Sequence, residues 1–301
     1  MDVIAEQSPD NLHSRQLVSG LQQSDFRLFD NDRELPILTF VVGAEHTARP
    51  ITLWVIVQCN MGLPIGEGSG YMRGKTQWLA PGLAALQPNE TVGVAHWCDN
   101  GDVKLDLSPT ANTKQALSTL EAILKAPPVE GDSDRQGEIA LQKLFVDILT
   151  ATEASSPSRL PVFLFLYGDH SATYATEADT IIKSLLESSG IVFGLTDPGS
   201  EANLNENLGT AGQISHIIHH YAALTGGQYF SASRPEFFSP ALAYMLTGVH
   251  LRYVLGFRPL KLDGKRHTLR VELTKAARKL NANPDLHFRN EYIPTPRLLQ
   301  P

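Results

Sequence analysis

Between Arg49 and Gly62 the chain reads RPITLWVIVQCNMG. Ile51 to Val57 is an unbroken apolar and β-branched run, too short for a membrane span and of the kind that forms a parallel strand buried on both faces. The pattern predicts a central strand there. Gln58, Asn60, Gly62, Gly66, Gly68 and Gly70 then make the chain polar and glycine-rich at the strand's carboxyl end, where open α/β sheets place their ligands.

Before this run, Leu17 to Leu21, Phe26 to Phe29 and Pro36 to Val42 are short apolar stretches separated by polar turns such as Asp30-Asn31-Asp32. They predict three strands, half of a small sandwich that needs a partner sheet to bury its face. After the central strand the spacing predicts a helix over Lys75 to Leu86, a buried strand over Thr91 to Trp97 and a short strand over Lys104 to Leu107. The turn Asp99-Asn100-Gly101-Asp102 makes the last of these an antiparallel strand at the sheet edge. Helical spacing follows over Thr113 to Leu124 and Glu138 to Leu149, interrupted by Pro127-Pro128. Strands at Val162 to Leu166, Ile191 to Leu195 and Gln228 to Phe230 then alternate with helices at Glu177 to Leu186, Ile214 to Leu224 and Pro235 to Leu246. Such alternation builds a mostly parallel sheet with helices on both faces. Beyond Gly248 the pattern returns to β at Arg252 to Phe257, His267 to Leu273 and Leu286 to Tyr292. Each terminal segment is an incomplete sheet by itself. The expected organisation is therefore an α/β domain over 49–248 inserted into a small β-rich domain formed by 1–48 and 249–301.

Composition changes little in this picture. At 301 residues, 42% hydrophobic and 19% charged, the chain has the balance of an ordinary globular protein. Its net charge of −7 argues against general nucleic-acid binding, although the charge is uneven. From His250 onward 11 Lys and Arg face 4 Asp and Glu, a net of +7 that leaves −14 for the rest. A solvated basic β-face, or a contact with the acidic body, accounts for that segment. No stretch has the roughly 18 apolar residues of a membrane span, and DVIAEQ after Met1 has neither the basic nor the apolar part of an export signal.

Several segments together carry a resemblance: LVSGLQQSDFRLFDNDRELPILTF, the central strand, LTGGQYF and LRYVLGFRPLKLDGKRHTLRVEL. In this order, over nearly the whole chain, they resemble the bacterial von Willebrand factor A-related proteins. The resemblance implies a Rossmann-like, doubly wound six-stranded sheet of order 3-2-1-4-5-6. It also implies a role in adhesion or protein assembly, an exported or envelope location, and a Mg²⁺ at the carboxyl edge of the sheet. The family's metal site uses Asp-x-Ser-x-Ser after the first strand and an Asp after the fourth, since Mg²⁺ takes oxygen ligands. Here Gln58, Asn60 and Gly62 stand at the first three positions and Tyr167 at the last, with Asp169 two residues on. The expectation is a degenerate edge with no metal and no other cofactor.

Other constellations compete for that edge. Gly68 to Thr76 approaches the phosphate loop G-x-x-x-x-G-K-[ST], but Ser69 replaces its first glycine and the strand ends about ten residues too early, which makes a nucleotide hydrolase the weaker alternative. Cys59 and Cys98, the only cysteines, each follow a strand. The implied sheet order makes those strands neighbours, so the two are either a disulfide or a pair of ordinary buried thiols. His96 with both gives a partial Zn²⁺ set, although its side chain is expected on the opposite face. His216, His219 and His220 share one helix without an acidic third ligand. Asp169 and His170 could do acid-base work beside Gln58 and Asn60, or simply form a polar rim. No G-x-S-x-G, H-E-x-x-H or paired carboxylates point to catalysis. The sequence thus reads as a non-enzymatic interaction protein whose loops (59–70, 97–102 and 167–174) meet a protein partner. Tyr71, Trp97, Tyr167 and Tyr174 are the candidate anchors. The alternative is a scaffold subunit assembling through its β-domain, sensitive to changes at Arg266 and Arg270.

Overall fold

The computed structural model describes residues 1–7, 15–43, 49–59, 78–98, 101–126, 134–155, 159–167, 179–196, 212–231 and 237–294. The glycine-rich segment 68–76, and with it the start of the helix predicted from Lys75, lies outside the described residues.

Strand β6 (Ile51–Gln58) is the buried run that the pattern marks, and every one of its residues is enclosed. It lies at the middle of a six-stranded sheet with β7 (Thr91–Trp97), β8 (Val103–Thr110), β9 (Leu160–Tyr167), β10 (Ile191–Thr196) and β11 (Tyr229–Ser231). The order is β11-β10-β9-β6-β7-β8. Renumbered within the sheet, that is 3-2-1-4-5-6. All neighbours pair parallel except β8, which runs antiparallel to β7 at the edge. Alternation along β6 divides its side chains between two cores. Leu53, Val55 and Val57 meet α1 (Ala80–Leu83), α2 (Thr113–Lys125) and α6 (Phe238–His250). Trp54 and Ile56 meet α3 (Asp134–Ser155), α4 (Asp179–Glu187) and α5 (Gly212–Thr225). The Trp54 indole fits because Gly93 stands opposite it on β7, where an added Cβ would come within 2.6 Å of the ring. Its Nε1 donates to Thr152 Oγ1 of α3 at 2.8 Å, so the buried polar atom is satisfied.

The terminal segments interleave in two antiparallel sheets. One has the order β14 (Asp285–Phe288), β1 (Asp2–Gln7), β12 (Tyr253–Gly256), β5 (Thr39–Val42), with β2 (Gln16–Leu17) also on β1. The other has the order β15 (Glu291–Tyr292), β13 (His267–Leu273), β3 (Phe26–Asp30), β4 (Arg33–Leu35). Val3, Ala5, Leu28, Tyr253, Leu255, Leu269 and Val271 belong to the core between them. Ile4, on the other side of β1, belongs instead to the α/β core with α6.

Several local expectations differ from what forms. Of Leu17 to Leu21 only Leu17 is in a strand; Val18 and Leu21 are tied individually to the Tyr253 hydroxyl, which donates to Val18 O and accepts from Leu21 N. The helix predicted from Lys75 is, within the described part, a single turn at Ala80–Leu83. The edge strand is twice the predicted length, and Leu286 to Tyr292 is split into β14 and β15, which join different sheets. Strands β1 and β4 and helix α7 (Lys275–Leu280) have no counterpart in the pattern reading. Some of the C-terminal basic residues are paired within the chain. Arg266 meets Glu291 at 3.0 Å, and Arg270 meets Glu272 and Asp32 and covers the Phe29 ring.

Buried charges join the layers. Arg252, 2% exposed, donates from Nε to Asp2 Oδ1 at 2.7 Å, from Nη1 to Val249 O, and from Nη2 to Arg49 O at 3.2 Å. Glu6 on β1 accepts from Tyr244 of α6 at 2.5 Å and from His287 of β14 at 2.8 Å. Burial alone would raise its pKa, but the bonds from His287 and Tyr244 outweigh that and hold it at about 2.

Replacing Arg252 with Met takes from Asp2 its hydrogen-bonded cation in a mostly enclosed site, leaving the Met1 ammonium and Arg49 as its charge partners, and should cost about 3 kcal/mol by urea unfolding. Glu6 makes a second, pH-dependent contribution. Because its folded pKa lies below the ordinary carboxylate value, its stabilisation is complete above about pH 4.5 and is lost as the pH falls toward about 2. The loss should approach about 3 kcal/mol, and Glu6→Gln should abolish that part of the acid dependence.

Candidate functional site

Parallel pairing brings the carboxyl ends of β6, β7, β9 and β10 to one edge of the sheet. Gln58 pairs with Trp97, Val57 with Leu166, and Tyr167 with Thr196. The chain leaves β6 toward β7 on one side and returns at β9 on the other. The crevice at the ends of β6 and β9 is therefore the topological switch point, where doubly wound sheets bind ligands.

Gln58 is 3% exposed, and among the described residues its Oε1 has no hydrogen-bond partner. Strand alternation puts its side chain on the face of Trp54 and Ile56. An amide oxygen so enclosed and unpaired costs roughly 1–3 kcal/mol. Tyr167 ends β9 in register with Thr196, at the same edge. Asn60, Gly62, Tyr71, Asp169, His170 and Tyr174 lie outside the described residues.

Trp97 is not a surface anchor. It is completely buried, packs edge-on to Phe165 at 5.8 Å between ring centres, and belongs to the core with α3. Trp97 lies on the α3 face of β7, which is covered to the strand's end, and the run TVGVAHW does not reveal this.

Cys59 and Cys98 form a disulfide with 4.8 Å between Cα atoms, closing a sequence separation of 39 residues. Cys59 N donates to Trp97 O at 2.8 Å, extending the β6–β7 ladder by one bond. Cys98 N donates to Asp102 O at 2.8 Å and Gly101 N to Cys98 O at 3.0 Å, so the covalent tie also anchors the turn into β8. Gly101 takes φ +97°, which a residue with a Cβ resists.

His96 lies on the same side as this pair, against expectation. Residues two apart in an extended strand share a face, so His96 follows Cys98. One ligand atom from each of Cys59, His96 and Cys98 lies within 4.8 Å of the others, the one such cluster among the described residues. Asp106 of β8 receives a 2.6 Å hydrogen bond from His96 Nδ1. The helical histidines are arranged differently: His219 is exposed with its ring against Tyr229, and His220 is half-buried. For His216 only the helix backbone is described.

Histidine–carboxylate pairs that the sequence reading did not single out lie away from the edge. His267 meets Asp30 through Nδ1 at 2.9 Å and Asp263 through Nε2 at 3.1 Å, inside the β-sandwich. His250 Nε2 meets Glu90 at 2.9 Å, joining the end of α6 to the turn before β7. Their partners are far apart in sequence or in a loop, so no local motif announces them.

A central β6, the order 3-2-1-4-5-6, a single antiparallel edge strand and helices on both faces together define the architecture. This is the sheet order that the resemblance to von Willebrand factor A-related proteins implies. No family model and no curated protein matches the chain. Among solved structures it is similar to an aerotolerance-related membrane protein from Bacteroides fragilis, with 14% identity and a TM-score of 0.47 over 65% of this chain and 98% of that one. It is also similar to BatB from Bacteroides thetaiotaomicron, with 13% identity and a TM-score of 0.46 over 66% and 98%. A von Willebrand factor type A protein from Catenulispora acidiphila gives 14% identity and a TM-score of 0.44 over 75% and 50%. Among the described residues, no helix is long and apolar enough to cross a membrane.

Thiol titration of denatured, unreduced protein should find no free cysteine, and two after reduction. Removing the bond in a Cys59→Ala, Cys98→Ala variant should lower stability by up to about 4 kcal/mol, the chain-entropy value for a loop of this length.

Proposed function

We propose that this protein is a non-enzymatic protein-interaction module of the von Willebrand factor A type that engages its partner without Mg²⁺. The observation that carries the metal-independence is Gln58. It stands at the carboxyl end of the central strand, where the resemblance puts an acidic ligand. A divalent ion at a switch point needs anionic oxygens to offset the loss of its water. A carboxamide supplies no charge, and this one is 3% exposed. The residue present does not fit a resident Mg²⁺.

Three described histidines away from the edge have structural partners, which is in keeping with the non-enzymatic reading. His250, His267 and His287 each spend a ring nitrogen on a carboxylate that joins two structural elements. Such pairs are ties between layers, and none borders the switch point. The partner would meet the loops at the carboxyl edge, and a protein partner fits because A-type folds present that edge as a surface rather than as a closed pocket. This part of the reading rests on the fold and is an analogy.

Metal analysis of the purified protein should find no stoichiometric Mg²⁺ or Mn²⁺, and thermal melting should be the same in EDTA and in excess Mg²⁺. A bound ion, or a melting temperature raised by Mg²⁺, would return metal-bridged contact to first place. Capture of any partner should survive EDTA.

A further inference from the structure

Donor chemistry with no part in the proposed function gathers at the ends of β6 and β7. We propose that reduction of the Cys59–Cys98 bond opens a three-ligand site for a borderline cation, Zn²⁺, formed by the two cysteine sulfurs and His96. The site is distinct from the Mg²⁺ position at the β6–β9 crevice. Its donors are soft sulfur and imidazole, which suit Zn²⁺ and not Mg²⁺.

The geometry supplies both shells of such a site. The three candidate ligand atoms already lie within 4.8 Å of one another. Tetrahedral Zn²⁺ with ordinary bond lengths holds its sulfur and nitrogen donors about 3.5 to 3.8 Å apart. The sulfurs must part from bonded contact, and the imidazole must close on them from within the present cluster. Asp106, whose side chain is 8% exposed, accepts the hydrogen bond from His96 Nδ1. That contact fixes the tautomer and leaves the Nε2 lone pair for the metal, the carboxylate–histidine arrangement that orients ligands in zinc proteins. Cys98 is buried, whereas Cys59 and His96 are partly exposed, so reductant and ion have a side from which to enter.

The step balances with a dithiol as reductant. A thiolate of the dithiol attacks one sulfur of the protein disulfide, its second thiol resolves the mixed disulfide, and the dithiol leaves as its own disulfide. The two electrons reside on Cys59 and Cys98. Zn²⁺ binds them as thiolates, and two protons are released overall. Either state then ties β6 to β7: one by a sulfur–sulfur bond, the other through the metal. The fourth coordination position remains for water or for a donor from a partner.

The test uses the full chain, reduced with a dithiol, freed of it by gel filtration under nitrogen, and titrated with Zn²⁺ against a chromophoric chelator. Reduced protein should take up one equivalent and oxidised protein none. Co²⁺ in place of Zn²⁺ should give a thiolate charge-transfer band. His96→Ala should weaken binding at least 10-fold, and Asp106→Asn about 10- to 100-fold. Circular dichroism of each variant checks that it is folded, and Cys59→Ser provides a close-to-isosteric variant lacking one thiolate. The proposal is overturned if reduced wild type binds Zn²⁺ no more tightly than Cys59→Ser, or if folded His96→Ala binds as tightly as wild type. Neither result bears on the Mg²⁺-independence of the crevice, which is read with a different ion on oxidised protein.

Discussion

Arg252 holds the two places where the chain passes between the β-sandwich and the α/β domain. Its guanidinium is nearly inaccessible, yet three of its nitrogens donate, to Asp2 of β1, to the carbonyl of Arg49 just before β6, and to that of Val249 at the end of α6. A buried cation is tolerable only when paired and hydrogen-bonded, so these three acceptors must all be in place together. The planar, forked guanidinium can meet such a spread of acceptors, and a lysine could not. Next to it, Gly43 N donates to Arg252 O at 2.6 Å, and an added Cβ there would lie 2.4 Å from His250 O. The outgoing and returning chains therefore run side by side in contact. The insertion of one domain into the other is a packed joint.

That joint sets which end of the sheet is available. The sandwich is attached at the amino ends of the parallel strands. Arg49 and Pro50 precede β6, and Pro50 O accepts from Leu160 N at the start of β9. Arg289, after β14, donates to Leu185 O and to Gly190 O just before β10. An eight-residue strand such as β6 places its far end roughly 25 Å away. The carboxyl edge thus lies opposite the attachment, with the sandwich acting as a base. Glu6, bridging α6 and β14 through Tyr244 and His287, stiffens the same base and does not reach the edge.

What the sequence makes legible follows from where the physical signal is local. An uninterrupted apolar run such as Ile51 to Val57 announces a buried parallel strand, and strict alternation with helices announces the winding. Strand β1 has four enclosed residues, but two of its six are acidic, and its neighbours β12 and β14 come from the other end of the chain. Its burial is tertiary, and a pattern of six residues cannot show it. Strand β4 depends on a turn at Asn31 and Asp32, both with positive φ, instead of on an apolar pattern of its own. Trp97 reads as an anchor because aromatic residues concentrate interface energy; its enclosure depends on Phe165 and on α3, which arrive later in the chain. The Gln58 substitution is readable as chemistry, while the unpaired state of its oxygen emerges only from the packing around it.

Gln58 and Cys59 lie side by side, and together they explain how the edge of this fold is held. A carboxylate at the end of a central strand repels other anions unless a cation sits among them, so an edge built from acidic groups depends on its ion. The neutral amide of Gln58 contributes no such charge. The Cys59–Cys98 bond supplies cohesion of another kind, joining the ends of β6 and β7 directly where Cys59 N already donates to Trp97 O. Because Cys98 also accepts from Gly101 N and donates to Asp102 O, the constraint passes into the β7–β8 turn. At this end of the sheet the chain thus carries a covalent tie of its own, which joins Cys59 to the turn into β8 only through the end of β7 and its backbone bonds, so that losing the sulfur–sulfur bond would loosen both strand ends at once.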